Sequence, residues 1–302
     1  MAKYAIGNVI YENRIRRKIT QEELSYGICT PVTLSRIENG MQMPRRKTYE
    51  ALMQRLGMHM QYFFLPVSRE EMERSNLEYL ITRKLALKEY DIEDYLMQYK
   101  NCGSEMDHME RQFYLYVSAL ILKNGTEDVE KITSLLLEAI ALTIPDFFPS
   151  SLGHSKFLTF DEITIMNNIA INYYSLGKKE DAKKILVYLK DYLEHRDIDL
   201  EEKAKVYPMI LFNLSNWAGA EGRNELAYEL CDTGIDFCIA HGKLTVFPHL
   251  IFNKGYSLAK MNRHKEAIPF FSQACTVFEA LKDHERADLC RKEIYETFSV
   301  KI

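Results

Sequence analysis

One spacing of residues recurs three times in the C-terminal half of the chain. An asparagine is followed two residues later by a small residue and, twelve residues after that, by an alanine. Small side chains at fixed places allow two antiparallel helices to cross closely. The pattern therefore predicts successive helical pairs that bury their apolar faces against one another. The three copies are Asn168, Ala170 and Ala182; Asn213, Ser215 and Ala227; and Asn253, Gly255 and Ala267.

Turn signals separate the two helices of each pair, at 176–179, 221–224 and 261–264. Two less regular pairs are expected upstream, around 77–100 and 109–141. A last helix over 285–298 would cap the stack. No stretch from residue 68 onward alternates in the manner of a β-strand, so we predict an all-α fold.

This body resembles the tetratricopeptide repeat, although its unit spacings of 45 and 40 residues exceed the usual ~34. The resemblance implies a right-handed superhelix of tetratricopeptide-like helical pairs. It also implies a concave groove lined by the first helix of each pair.

Residues 20–40 predict two short helices joined by a turn. Thr20 and Glu23 form a capping box at the start of the first helix. Gly27 lies where the chain must turn sharply. Thr30 caps the second helix, and Pro31 occupies its first position, where a missing N–H costs nothing.

The second helix has one apolar stripe, formed by Leu34 and Ile37. That stripe leaves Val32, Thr33 and Arg36 on outer faces. A helix this short is held by its neighbours, so its outer face is free to enter a DNA major groove.

These residues resemble the XRE (Cro/C1) helix-turn-helix family, through 20–24, 34–40 and the helix that follows Pro44. The resemblance implies a DNA-binding head over 1–66, ending at Pro66, and a repeat domain over 67–302. It implies that Arg14 pairs with Glu38 and that Gln21 contacts phosphate. Val32 would meet a thymine methyl group. The full set of DNA-binding candidates is Gln21, Thr30, Val32, Thr33, Arg36, Asn39, Arg45, Arg46 and Lys47.

Charge supports this division. Residues 1–57 carry 10 Lys/Arg and 5 Asp/Glu, whereas the remainder carries 29 and 38. A basic head on an acidic body is typical of a phosphate-binding module joined to a part that avoids nucleic acid. The basic run at 45–47 is interpreted as phosphate-contacting, and the alternative is a solvated surface. The apolar segment 58–65 is interpreted as packing between head and body.

The recurring asparagines are candidates for peptide binding. An amide side chain offers one acceptor and two N–H donors, which match a peptide group in both directions. Neighbouring aromatic residues would then receive the ligand's side chains. Solvated surface is our interpretation for His249 and Lys260. The peptide-binding candidates are Asn167, Asn168, Asn172, Tyr174, Phe212, Asn213, Asn216, Phe252, Asn253 and Tyr256.

Head and body together resemble the peptide-pheromone-responsive PlcR/Rgg/ComR (RRNPP) group of Gram-positive bacteria. That resemblance implies a homodimeric transcription regulator that binds a double-stranded DNA operator and a short signalling peptide, as in quorum sensing. Two alternatives stay open, because asparagine is common at this position of such repeats generally. The repeats could bind a protein partner, or serve only dimerisation.

Other classes of function find no support in the sequence. The triplet at 195–197, His195, Arg196 and Asp197, matches part of a kinase catalytic loop. The chain lacks the glycine-rich loop and the Asp-Phe-Gly motif that accompany that loop in kinases. The eight histidines show no metal-ligand spacing, and the six cysteines form no C-x-x-C pair. We therefore expect no enzyme, metal or cofactor, and core thiols at Cys231 and Cys238. The chain also lacks a membrane-length apolar run and a signal peptide, which favours the cytoplasm.

Overall fold

The computed structural model describes residues 5–58, 68–103, 105–126, 128–149, 152 and 157–299, and all structural statements concern these residues. Within them lie fifteen α-helices and no β-strand, so the all-α prediction is confirmed. None of these helices is both long and apolar enough to cross a bilayer. The helices are α1 (Ala5–Arg16), α2 (Gln21–Ser25), α3 (Pro31–Glu38), α4 (Arg46–Arg55), α5 (Arg69–Ala86), α6 (Glu93–Asn101), α7 (His108–Gly125), α8 (Val129–Ala141), α9 (Phe160–Ser175), α10 (Lys179–His195), α11 (Leu200–Ala220), α12 (Asn224–His241), α13 (Phe247–Lys260), α14 (His264–Ala280) and α15 (His284–Phe298).

The chain divides into two compact units within α10. Unit 1 comprises 1–188 and 196–198, and unit 2 comprises 189–195 and 199–302. The head therefore packs with the first helical pairs in one unit. Residue 66 lies outside the described residues, so the domain boundary at 66/67 stays a prediction. The same holds for the segment 58–65, except that Met58 packs against the core of the head.

Helices α1 to α4 form the head around a core in which Leu34 and Ile37 are buried as predicted. The predicted caps are present. Thr20 and Glu23 form the capping box of α2, and the Thr30 side chain accepts a hydrogen bond from the backbone N–H of Thr33. Gly27 adopts a φ of +67° at the turn between α2 and α3.

The repeat pattern also has its predicted physical basis. All six small residues of the three copies are buried. A Cβ added at Gly255 would lie 2.9 Å from the Phe271 ring, which shows how closely α13 and α14 approach. The turns place Gly177, Gly222 and Asn262 in the left-handed region. The two upstream pairs are α5–α6 and α7–α8, and α15 is the predicted last helix.

Candidate DNA-binding surface and cavity

The outer face of α3 is open. Val32 is 62% exposed, Arg36 is exposed, and Thr33 is half-buried. Asn39 is also exposed, and its amide donates to the backbone oxygen of Ser35 at 2.8 Å. The side chains predicted to meet base edges thus share an accessible surface, while the apolar stripe anchors the helix.

A buried ion pair fixes α3 against α1. Arg14 donates to Glu38 through two nitrogens, at 2.6 and 2.8 Å, in the pairing that the family resemblance implies. Its hydrogen bonds with Glu38 raise the pKa of Arg14. Gln21 donates its amide to the same carboxylate at 2.7 Å. Gln21 therefore helps to position α3, and its contact with phosphate stays a prediction.

The basic run at 45–47 is paired with carboxylates of unit 1. Arg46 lies 2.9 Å from Glu78 on α5 and 2.6 Å from Glu50. Lys47, whose side chain is 11% exposed, contacts both of these carboxylates. Burial opposes its charge, but the two carboxylates outweigh burial and raise the pKa of Lys47. Arg45 is more exposed and lies 4.0 Å from Asp107.

A second buried cation joins the head to α9. Arg55, at the end of α4, donates to Glu162 at 2.8 Å and also to the backbone oxygen of Tyr26 beside the α2–α3 turn. Glu162 is fully buried and caps the N-terminus of α9 through the backbone N–H of Thr159. The turn before α3 is therefore held directly against a helix of the repeats.

Unit 2 contains a cavity of about 570 Å³, within the range typical of small-ligand sites. Its walls are single faces of α11, α13 and α15, on each of which the lining residues follow helical spacing, together with Phe278 of α14. Five of the ten predicted peptide-binding residues line it. These are Phe212, Asn216, Phe252, Asn253 and Tyr256.

Aromatic rings form part of the cavity lining. The His249 ring lies edge-on to Phe212 at 5.4 Å and to Phe278 at 4.9 Å. His249 is therefore half-buried among rings, and its interpretation as solvated surface was wrong. Phe252 and Tyr256 continue the aromatic lining, with their ring centroids 6.3 Å apart.

A pair of amides crosses from α11 to α13. Asn253 donates to Asn216 at 2.7 Å and to the Ser215 hydroxyl at 3.1 Å. With the amides oriented in this way, the Asn253 carbonyl oxygen and the Asn216 NH₂ group are left for a further partner. One acceptor and one donor are what a peptide group requires.

Charged groups are few in the lining. Lys260 is exposed, and its ammonium lies 5.1 Å from the centroid of the Tyr256 ring. Arg286 pairs with Asp283, the N-cap residue of α15, at 2.9 Å. Glu293 lies two turns further along α15. Most of the lining is consequently uncharged, with aromatic rings and amides among it.

The remaining candidates lie elsewhere. Asn167 and Asn172 on α9 are each 4% exposed, and the Asn168 amide donates to Thr164 within its own helix at 2.9 Å. These residues and Tyr174 belong to unit 1. Asn213 on α11 does not line the cavity. Their roles stay predictions.

Sequence reasoning missed the contribution of α15, which was expected only to cap the stack. Its cavity face shows a recognisable signal, because the lining residues are spaced three, four and seven residues apart: Arg286, Leu289, Cys290 and Glu293. Burial raises the pKa of the Cys290 thiol to about 12, so the thiol stays protonated at neutral pH.

Residues 10–63 match a helix-turn-helix family model. The head is a helix-turn-helix domain. This is the DNA-binding module expected from the capped helices and the open face of α3. No curated protein matches the sequence.

Solved structures match almost the whole chain. Bacillus thuringiensis PlcR in complex with the peptide PapR7 and DNA is 17% identical, with a TM-score of 0.61 over 94% of this chain and 98% of PlcR. Apo PlcR is 16% identical, with a TM-score of 0.59 over 96% and 98%. The apo competence regulator ComR from Streptococcus vestibularis is 17% identical, with a TM-score of 0.52 over 96% and 97%. At these identities the likeness shows a shared fold.

Proposed function

We propose that this chain is a transcription regulator whose DNA binding is controlled by a short signalling peptide held in the cavity of unit 2. The observation that supports the peptide most directly is the Asn216–Asn253 amide pair in an aromatic cavity of about 570 Å³. The similar fold of PlcR, solved with a peptide and DNA, favours the same class of ligand.

The free energies of the available contacts determine which kind of peptide the cavity can hold. A hydrogen bond contributes about 1 kcal/mol net, whereas micromolar affinity requires about 8 kcal/mol. The amide pair therefore orients a ligand but cannot hold it alone. Burial of an apolar side chain contributes about 1.5–3 kcal/mol. The ligand should accordingly carry two or more apolar or aromatic side chains, placed against Phe212, Phe252 and Phe278.

On the DNA, α3 would lie in the major groove with Val32, Thr33 and Arg36 at base edges. Thr30, Asn39, Gln21 and the exposed Arg45 would contact the backbone. One head covers about half of an operator, so we propose a homodimer on two half-sites roughly 34 Å apart. Such a regulator acts in the cytoplasm, where its operator lies.

Peptide control requires differential affinity. A ligand shifts an equilibrium only as far as it binds one arrangement more tightly than the other. The same coupling acts in reverse, so operator DNA should change the affinity for the peptide by the same factor that the peptide changes the affinity for DNA.

The peptide proposal is tested by mass spectrometry of peptides retained on protein purified from its own host, followed by calorimetry with the synthetic peptide. Asn216→Ala with Asn253→Ala should weaken binding about thirtyfold, because two hydrogen bonds of about 1 kcal/mol each are lost. Gln273→Ala removes an exposed amide from α14 outside the cavity and should change nothing. A retained protein in place of a peptide, or equal affinity in all variants, would refute the proposal.

The DNA proposal is tested by operator selection and fluorescence anisotropy. Arg36→Ala should abolish sequence preference and leave weak, salt-sensitive binding. Arg111→Ala removes an exposed arginine on α7, distant in sequence from the head, and serves as the control. Unchanged operator preference in Arg36→Ala would show that α3 does not read the bases.

A further inference from the structure

One buried hydroxyl group of unit 1 lacks a protein partner. Tyr99 on α6 is fully buried, with its ring centroid 5.2 Å from that of Phe113 and 5.9 Å from the guanidinium carbon of Arg74. Across the described residues, no protein atom forms a hydrogen bond with the Tyr99 hydroxyl. Burial of an unpaired hydroxyl is unfavourable, and native structures pair nearly all such groups with protein atoms or ordered water. The Tyr99 hydroxyl therefore points to a partner outside the chain.

A small cavity lies beside this hydroxyl. Its volume is about 10 Å³, and residues of α4, α5, α6 and α7 line it, Tyr99 among them. The charged residues whose fields act on the Tyr99 hydroxyl all belong to the same lining: Lys47, Arg74, Glu78 and Glu110. A single water molecule needs about 10–15 Å³, so the cavity can hold one water and no organic ligand.

The charge of the lining favours a neutral occupant. Four basic and four acidic residues surround the cavity, so neither an anion nor a cation finds an excess of opposite charge there. Burial raises the pKa of Tyr99, so its hydroxyl keeps its proton at neutral pH and can donate. An uncharged molecule that both accepts and donates hydrogen bonds suits this lining.

Two acceptors on α5 complete the surroundings. Ser75 and Glu78 lie one helical turn apart, and both line the cavity. The Glu78 carboxylate accepts a hydrogen bond from Arg46 at 2.9 Å and another from Lys47. A carboxylate has about four lone-pair sites, so Glu78 can accept a further hydrogen bond.

We propose that this cavity is a binding site for one ordered water molecule, which accepts from the Tyr99 hydroxyl and donates to Glu78 and Ser75. Three hydrogen bonds are the usual number for a buried water. Since Glu78 also binds Arg46 and Lys47 of α4, the water links the α4–α5 contact to α6. It thus belongs to the network that holds the head on the first helical pair.

A high-resolution crystal structure of the full chain tests the occupant directly. We expect one oxygen-sized peak within hydrogen-bond distance of Tyr99 Oη. Crystals soaked in bromide distinguish water from a halide, because an anomalous peak at this position would mean that an anion binds there. Such a peak, a protein atom bonded to Tyr99 Oη, or a site without density would each overturn the proposal.

Amide hydrogen exchange of a Tyr99→Phe chain tests the energetics, because the sign of the effect depends on the occupant. Removing a hydroxyl bonded to water should make the backbone amides of α6 exchange about fivefold faster, since one net hydrogen bond is lost. Removing an unpaired hydroxyl from a dry cavity should slow exchange instead. Slower or unchanged exchange in Tyr99→Phe overturns the water site.

Two further variants accompany this measurement. Tyr79→Phe changes a tyrosine of α5 that is 64% exposed, and it should leave exchange unchanged. Ser75→Ala removes an acceptor of the water from the opposite side, and it should speed exchange in α6 in the same direction as Tyr99→Phe. Unchanged exchange in Ser75→Ala contradicts the assignment of Ser75 as a partner of the water. None of these experiments requires DNA or peptide, so their outcome is independent of the proposed function.

Discussion

Two glycines with the same backbone conformation differ in what surrounds them. Gly27 and Gly177 have φ values of +67° and +79°. A Cβ at Gly27 would lie 1.9 Å from the backbone oxygen of Thr143, whereas nothing lies within 4 Å of the same position at Gly177. A glycine at position 27 is therefore required twice. It allows the turn between α2 and α3, and it allows the head to pack closely against the loop after α8.

We predict that Gly177→Ala costs about 1–2 kcal/mol, the strain of a left-handed alanine. Gly27→Ala should cost at least twice as much, because backbone atoms must also separate. Differential scanning calorimetry of both variants gives the comparison. Equal losses would show that the contact with Thr143 is absent in solution.

At the scale of elements, the contact between α4 and α5 encloses one residue of the basic run at 45–47 and leaves another exposed to solvent. Lys47 is enclosed by Glu50 and Glu78, whereas Arg45 projects from the start of α4 with a long contact to Asp107. A largely enclosed cation with two carboxylates stabilises the contact between helices, and an exposed one remains available to phosphate.

Arg45→Ala should therefore lower the slope of log affinity against log salt by about 1, the value for one phosphate contact. Lys47→Met should leave that slope unchanged but destabilise unit 1 by about 2 kcal/mol, because the buried Glu50 and the half-buried Glu78 lose one of their two cations and keep Arg46. Operator titrations between low and moderate salt and urea denaturation measure the two effects. A reduced slope in Lys47→Met would mean that the α4–α5 contact opens on DNA.

At the scale of the whole molecule, the cavity and the DNA-binding surface belong to different compact units. A ligand that binds only the folded state stabilises it by mass action, by about 2.7 kcal/mol at one hundred times its dissociation constant. The peptide should act first on the unit that contains its site.

We expect a saturating peptide to raise the thermal transition of unit 2 in a calorimetric scan. Operator DNA should raise that of unit 1. Because the two sites are coupled, both ligands together should stabilise the chain by more or less than their separate effects. Strictly additive effects would contradict peptide control of DNA binding, although each ligand would still bind.

Much of the fold could be predicted because its signals are local. A cap such as Thr20 acts on backbone groups within a few positions, and so do the αL residues at the turns. The recurring small residues act at a single helix crossing. The partnership of Arg14 with Glu38 was reached by family resemblance, since 24 residues separate them and no local rule joins them.

The sequence by itself determined which residues form helices, where those helices turn and which face of α3 stays outside, since each depends on short-range sterics and periodic burial. Tertiary structure alone decided which amides meet. It joined Asn216 to Asn253, buried Asn167 and Asn172, and brought α15 into the cavity wall. It also enclosed Lys47 while leaving Arg45 exposed. These outcomes depend on how distant helices pack, and no spacing along one helix encodes that.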